Sequence, residues 1–489
     1  MGSINSAFSM ITAALDADQA ALNIVSNNVA NANTPGYTRQ IPSWRENDPV
    51  SIRGMTVGTG AAVTGAISVR DRVLEERLNQ QEQLASASSS RLAALYTMET
   101  LFKPNSGAAG SAAGDIGSDI TGFFNSFSSL EADPANNALR ENVLSAASKL
   151  AGDISNGAAS LTAQRASLDQ EAAGIVSQVN ALTGALGKLN LEIQSLSPGT
   201  DAGTLEDQRQ EDLLQLSQLI GINQVSTENN GIAITTSSGQ RLASQGTSQQ
   251  LTSGLSNGVT HFFLGTKDIT DQLTAGGGSL GGILTARDVD IPRVLSSLDE
   301  LAYDISTAVN AQNNLGTDAN GNSATAPDSV TGSQSLDIFA PPSTLIANGT
   351  TKHDTSGAAL AMRVVMTDPS QIAASSTTEG VGGNSNATAI ADMARSLKLN
   401  GKTPSDFYAG LVTNLGSVVS QVQIENTAQN ASVTQLQTQR DALSSVNLND
   451  EASALTLLER SYQAASQIFA IINSMMASAL NLGERTSVS

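Results

Sequence analysis

The sequence predicts a mainly α protein with a smaller β-containing part: terminal coiled-coil helices paired side by side, an elongated helical-bundle rod, and a small β-rich or irregular outer insertion. Three observations predict it: matching heptad strips at the two ends, a nearly unbroken helical stretch over 137–193, and a scarcity of rings. Of 489 residues, 40% are hydrophobic but only 3% aromatic, with Trp44 the single tryptophan. A core of Ala, Leu, Ile and Val suits slender bundles whose backbones approach closely.

At the N-terminal end Ile4, Phe8, Ile11, Leu15, Leu22, Val25 and Val29 follow spacings of four and three, with Asp18 filling one place in the strip. At the other end Leu455, Leu458, Tyr462, Ala465, Phe469, Ile472, Met476 and Ala479 do so without a break. This is the a/d pattern of a coiled-coil seam. At about 1.5 Å per residue each helix spans roughly 40–45 Å, and equal length and period predict that the two pair. Asn449, Asp450 and Glu451 read as cap and first-turn acids of the second helix, and Gly483 as its stop. Asp18 either fixes register, faces a polar groove in a neighbour, or is solvated. Burying about fifteen seam side chains does not outweigh the backbone entropy of ordering roughly sixty residues. The termini are therefore expected to be disordered or loosely helical in the monomer, and to order when neighbouring copies surround them.

Between the ends, Val73–Phe102 reads as a helix around a narrow apolar stripe, and 103–118 as a Gly/Ala/Ser-rich loop. Asn137–Ile193 is helical, and Leu205–Ile220 follows the breaker Ser197-Pro198-Gly199. From Gly221 the character changes: Gly231–Thr236, Gln240–Ala243 and Val259–Leu264 read as short strands between Gly, Asn and Ser turns. Helix returns over Ile291–Asn314, Asn386–Leu399 and Ser405–Ser444, whereas 316–384 lacks periodicity. The expected division is a terminal assembly domain (1–60 with 448–489), a rod domain (61–315 with 385–447, its β part about 221–282) and an outer insertion (316–384), partly flexible.

Composition excludes several chemistries. There is no cysteine, and only His261 and His353 could act as imidazole ligands or bases. The formal net charge of −20 argues against nucleic acid, which needs clustered Lys and Arg. No apolar run is long enough to span a membrane, and the start lacks the basic region of a cleavable secretory signal. Gly276, Gly278 and Gly281 spell GxGxxG, but Asp271-Gln272-Leu273-Thr274 makes a poor preceding strand, so a flexible turn before a helix is expected, with no dinucleotide. Asp318-Ala319-Asn320-Gly321-Asn322 lacks the spacing and the twelfth-place Glu of a calcium loop, and reads as a metal-free turn. No close acid is evident for His261. Neither a catalytic constellation nor a cofactor or metal site is expected.

The Asn-rich end of the first helix carries the most specific signal. Asn28-Val29-Ala30-Asn31-Ala32-Asn33 runs into Thr34-Pro35-Gly36, where Pro35 cannot continue the helix and Gly36 permits positive φ, and Tyr37 follows as an amphipathic anchor. On chemistry alone this is a helix stop. As a string, with Asn28, Asn31, Asn33, Thr34, Pro35, Gly36 and Tyr37 in place, it strongly resembles the N-terminal signature of bacterial flagellar axial proteins: rod, hook and hook-associated subunits. Within that group, Tyr37-Thr38-Arg39-Gln40, Arg70–Arg77, the segment Leu205–Ile222 around Asp207-Gln208-Arg209, and the tail segment Val446–Ala452 resemble the hook-associated members. Gln210-Glu211-Asp212 departs slightly from their pattern, and 316–384 matches weakly outside Val364–Ala373. The resemblance implies a non-enzymatic structural adaptor between hook and filament. It implies a homo-oligomer in a ring-like helical layer, with hook protein and the next hook-associated protein as neighbours. It also implies type III export without a cleaved signal, and an export chaperone on the C-terminal helix. A hook or distal rod subunit is the alternative. A cell-wall hydrolase fused to an axial protein would need paired acids, and a coiled-coil adhesin would lack the Asn31 to Tyr37 turn.

Overall fold

The computed structural model describes residues 2–52, 55–102, 115–196, 201–256, 259–326, 333–342, 345–347, 350–352 and 355–484. His353, Ser197 to Gly199 and the end of the tail lie outside them. The first helix, α1 (Gly2–Ala30), runs toward the body of the molecule. After the turn at 31–39 comes an antiparallel ribbon of β1 (Gln40–Glu46), a small tip formed by β2 (Val50–Ile52) and β3 (Met55–Val57), and β4 (Ala61–Ser68). Gln40 pairs with Ser68 and Glu46 with Ala61, with a bulge at Ser43/Trp44. The ribbon folds back along α1, so that Gly60 sits against Met10. Sequence reading assigned nothing here, because Gln-Ile-Pro-Ser-Trp-Arg-Glu does not alternate and Pro is unusual inside a strand.

The body is built on α2 (Arg72–Phe102), α3 (Ile116–Ala132), α4 (Asn137–Leu196) and α5 (Thr204–Leu219). With 60 residues, α4 is roughly 90 Å long. Val143, Ala147, Leu150, Ile154, Ala158 and Leu161 form its buried stripe. The expected loop over 103–118 ends earlier than its composition suggested. Residues 103–114 lie outside the described residues, and Asp115 already caps α3 by accepting from Ser118 N at 3.2 Å. The scarce rings are concentrated at this helix, where Phe123 lies 5.2 Å from Phe124, 5.5 Å from Phe127 and 5.6 Å from Phe339.

Next come two small sheets. The first orders β5 (Ile222–Ser226), β6 (Ile232–Thr236), β7 (Arg241–Ser244) and β8 (Thr247–Ser248); the second joins β9 (Leu251–Ser256), β10 (Val259–Leu264) and β11 (Lys267–Asp268), all antiparallel. The GxGxxG segment is a packed corner and not a flexible turn. Helix α6 (Thr270–Gly276) passes directly into α7 (Gly278–Thr285), with φ +93° at Gly277 and +71° at Gly278. A Cβ at Gly278 would overlap the Ile220 backbone, and one at Gly282 the Ala87 carbonyl. These glycines thus serve backbone approach, and the poor strand at 271–274 is a helix. A π-helical turn (Ala286–Asp290) leads into α8 (Ile291–Asn313). Arg287 is fully buried at this turn, between Asp169 and Asp288 at 2.6 Å each.

The insertion is tied into the body by buried side chains. Asn310 of α8 brackets the backbone of Ile338 and Phe339 with bonds of 2.8–3.0 Å, and Asn313 does the same for Leu336 and Ala373. Asp318 Oδ1 accepts from Asn320 N and Asn322 N, which closes the turn at 318–322. The chain continues through α9 (Ala358–Ala361), α10 (Ser385–Ser396) and α11 (Pro404–Ser444), where Pro404 opens the helix behind the Thr403 cap. The last helix, α12 (Leu448–Glu484), returns antiparallel along α1. No helix among the described residues is long and apolar enough to cross a membrane.

Candidate functional site: the joint of the terminal helix pair

The expected strips on α1 and α12 face each other, and in the single chain both are formed helices held together, in place of the disordered or loosely helical ends the entropy argument predicted. Phe8 and Phe469 meet with ring centroids 5.1 Å apart and planes at 38°. Phe8, Ile11, Leu15 and Leu22 are half-buried, as are Leu455, Leu458, Phe469, Ile472 and Met476, while Val25 and Ala465 are buried. Ile4 lies in α1, but its side chain is outside what is described. Among the members whose side chains are described, which leaves out Ile4 and Ala479, two are uncovered in the single chain: Val29 is 44% exposed and Tyr462 is exposed. Near its C-terminal end α1 buries Ala17, Asp18, Ala21, Val25 and Asn28, so the buried face rotates off Val29 toward the ribbon. Asp18, which the sequence left open, is buried.

Asn28 is the centre of the joint. It is 1% exposed and fully engaged. Its Nδ2 donates to Gln40 O at 2.7 Å and to Glu451 Oε2 at 3.0 Å. Its Oδ1 accepts from Tyr37 OH at 2.8 Å and from Gln40 N at 3.0 Å. Glu451 also takes Arg39 Nε at 2.6 Å. The acid read as a first-turn complement to the helix dipole is thus a buried partner, and Asn447, not Asn449, caps α12 by accepting from Asn449 N at 3.0 Å.

The turn at 34–37 aims these groups. Tyr37 N donates to Thr34 O at 3.2 Å, with Pro35 second and Gly36 third at φ +79°, the type II arrangement. Asn31 Nδ2 donates to Asn27 Oδ1 at 2.7 Å, and its Oδ1 accepts from Thr34 Oγ1 at 3.3 Å. Asn33, Thr34 and Pro35 are exposed. Burial, with Asp207 and Glu451 nearby, pushes the Tyr37 hydroxyl up to about 12, so it remains a donor at any physiological pH.

Beyond the turn the backbone is bonded to three elements in three residues. Thr38 N donates to Asp207 Oδ2 of α5 at 3.1 Å, Arg39 N to Ser444 O at the end of α11 at 2.9 Å, and Gln40 N to Asn28 of α1. Asp207 is shared with Arg70, whose Nη1 donates to Glu206 Oε2 at 2.8 Å. Arg72 reaches the same Glu206 oxygen at 3.2 Å, and Arg440 Nη2 donates to Gly36 O at 3.3 Å. Four separated segments, 28–40, 70–77, 205–209 and 446–451, therefore converge on one buried polar cluster.

His261 stands elsewhere, with Nδ1 2.6 Å from Asp268 Oδ2. That acid was missed because hairpin pairing, and not sequence spacing, brings β11 across from β10.

The corner joins a terminal antiparallel helix pair to a helical body, and comparison with known proteins gives the class, a flagellar axial subunit. Residues 12–38 match the family described as flagella basal body rod protein, and 108–326 the flagellar hook-associated protein FlgK helical domain. The chain is 27% identical to flagellar hook-associated protein 1 of Escherichia coli (strain K12), over 98% of this chain and 99% of that one. It is 26% identical to the protein of that name from Bacillus subtilis (strain 168), over 96% of each. The flagellar hook junction protein FlgK from Burkholderia pseudomallei shares its fold, with a TM-score of 0.63 and 19% identity over 76% of this chain and all of that one. Over nearly its whole length the chain is similar to the proteins named flagellar hook-associated protein 1.

Proposed function

We propose that this chain is a non-enzymatic adaptor subunit at the junction of flagellar hook and filament, and that it assembles through α1 and α12. The observation that carries the reading is the convergence on one joint of four segments that resemble the axial and hook-associated proteins, 28–40, 70–77, 205–209 and 446–451. The relatives are named as hook-associated proteins, and their near full-length alignment favours this reading over a hook or rod subunit. The assembly surface has support in α12. Besides the strip facing α1, it exposes Leu457, Ile468, Ile471 and Met475, an apolar face that a single chain leaves in water. On this reading copies pack in a ring-like helical layer, with hook protein on one side and the next hook-associated protein on the other. Before assembly the same face of α12 suits an export chaperone, and type III export needs no cleaved signal. Nucleic acid, membrane insertion and cofactors have no part in it. The division into terminal assembly domain (1–60 with 448–489), rod and outer insertion is part of the same proposal, with the ribbon of β1 and β4 bridging the first two.

Removing residues 451–489 from the chromosomal copy tests the assignment. Cells should carry hooks without filaments; filaments of normal number and length would overturn it.

A further inference from the structure

Next to the joint, the bundle end formed by α2, α5 and α11 is unusually polar. Glu75, Asn79, Glu82 and Gln83 of α2 are buried, at positions where a core helix carries Leu or Ala. Only a small apolar cluster supports them: Leu74, Leu78, Ala85, Val433 and Leu436, separate from the main core. A cavity of about 120 Å³ lies there, lined by Arg70, Glu75, Glu206, Arg209 and Gln210 among others.

Arg70 is the shared cation. Its two terminal nitrogens engage Glu206 and Asp207, while its Nε stands 3.3 Å from Glu75 Oε1 without hydrogen-bond geometry. Glu75 is therefore a third carboxylate at a guanidinium already occupied by two. The charged groups acting on it are Arg70 from the loop before α2, Glu206, Asp207 and Arg209 from α5, and Arg440 from α11. Arg440 also holds Gly36 O, and Asp207 also holds Thr38 N, so the balance around Glu75 is wired into the turn.

We propose that the joint is a proton-operated hinge with Glu75 as its titrating group. With Glu75 neutral, Arg70 is left to Glu206 and Asp207 and the joint is tight. With Glu75 charged, three carboxylates compete for one guanidinium and the joint opens more often. Burial, assisted by Asp207 and Glu206 against the opposing pull of Arg70 and Arg440, pushes Glu75 from 4.5 up to about 7. A carboxyl raised in the folded state binds more protons folded than open. Its stabilisation is present in mild acid and is lost as pH rises from 4.5 to 7.

The experiment uses the full chain and reads hydrogen exchange at the Thr38, Arg39 and Gln40 amides, corrected for intrinsic rate. Opening should be roughly 20-fold more frequent at pH 7.5 than at 5.5 in the wild type, and nearly independent of pH in Glu75→Gln. A Glu75→Gln chain with the wild-type pH dependence overturns the proposal. Should that variant not fold, the carboxyl-carbon NMR titration of Glu75 in the wild type decides: a midpoint near 7 supports the hinge, and one below 5 refutes it. Neither outcome depends on where in the flagellum the subunit sits.

Discussion

Replacing Asn28 by Ala should unlatch the terminal pair from the body without unfolding the body. The side chain makes four hydrogen bonds, three to neutral groups of Gln40 and Tyr37 and one to the Glu451 carboxylate. A neutral bond contributes about 1 kcal/mol net and a charge-assisted one about 1.5–3 kcal/mol, so the sum is about 4–6 kcal/mol. Water entering the vacated space reduces this, and about 4 kcal/mol is the working figure. At 1.4 kcal/mol per decade the joint should open on the order of 10³-fold more often. Trypsin provides the assay, because Arg39 lies inside the joint with its amide bonded to Ser444 O, whereas Arg45 lies exposed in β1. Cleavage after Arg39 requires local opening; cleavage after Arg45 serves as the internal reference. The Arg39-to-Arg45 cleavage ratio should rise by two to three orders of magnitude in Asn28→Ala. Asn28→Asp should behave similarly near neutral pH, since it loses both donors and faces Glu451 with a second carboxylate. A ratio within threefold of wild type for both variants would refute the latch.

Two further predictions concern packing. Gly282→Ala places a methyl group on the Ala87 carbonyl, a backbone clash that should cost about 3 kcal/mol or more and lower Tm by several degrees; Gly174→Ala, exposed on α4 with nothing within 4 Å, should instead raise stability by up to about 1 kcal/mol. Equal effects of the two in a thermal melt would remove the close-approach argument. Phe469→Ala takes away the ring that meets Phe8, and amide protection over 8–15 should fall while that of α4 is unchanged; unaltered protection at 8–15 would show that the ring contact does not hold the pair.

The long elements were legible because their period is repeated many times. The strips on α1 and α12 and the 60-residue α4 carry enough turns for the 3.6-residue pattern to exceed composition noise. The ribbon at 40–68 and the strands at 222–226 and 251–256 were not, since short strands bury only a few alternate positions and here interleave Gly, Ser and Pro. The joint was half legible. Its turn chemistry and its segments could be named, but their meeting could not, because Asn28 and Glu451 are 423 residues apart and nothing local marks them as partners. One local sign did exist: Glu75, Asn79 and Glu82 occupy core spacing on α2, and polar residues at core spacing announce a buried network.

A polar joint also answers a question the strips leave open. An apolar heptad strip packs almost as well after sliding one repeat, so Leu and Ile alone do not define how far α12 runs along α1. Asn28 with Glu451 and Phe8 with Phe469 give two contacts, separated by 20 residues on α1 and 18 on α12 (28 − 8 and 469 − 451), as an antiparallel pair in one register requires. Sliding by seven residues would bury Glu451 away from Asn28 and Arg39, leaving a carboxylate without its donors, which costs several kcal/mol. The apolar strips supply attraction in many registers, and the joint leaves one. A subunit that presents the remaining face of α12 to its neighbours has to present it at a fixed height, and on this account Asn28 and Glu451 set that height before any neighbour arrives.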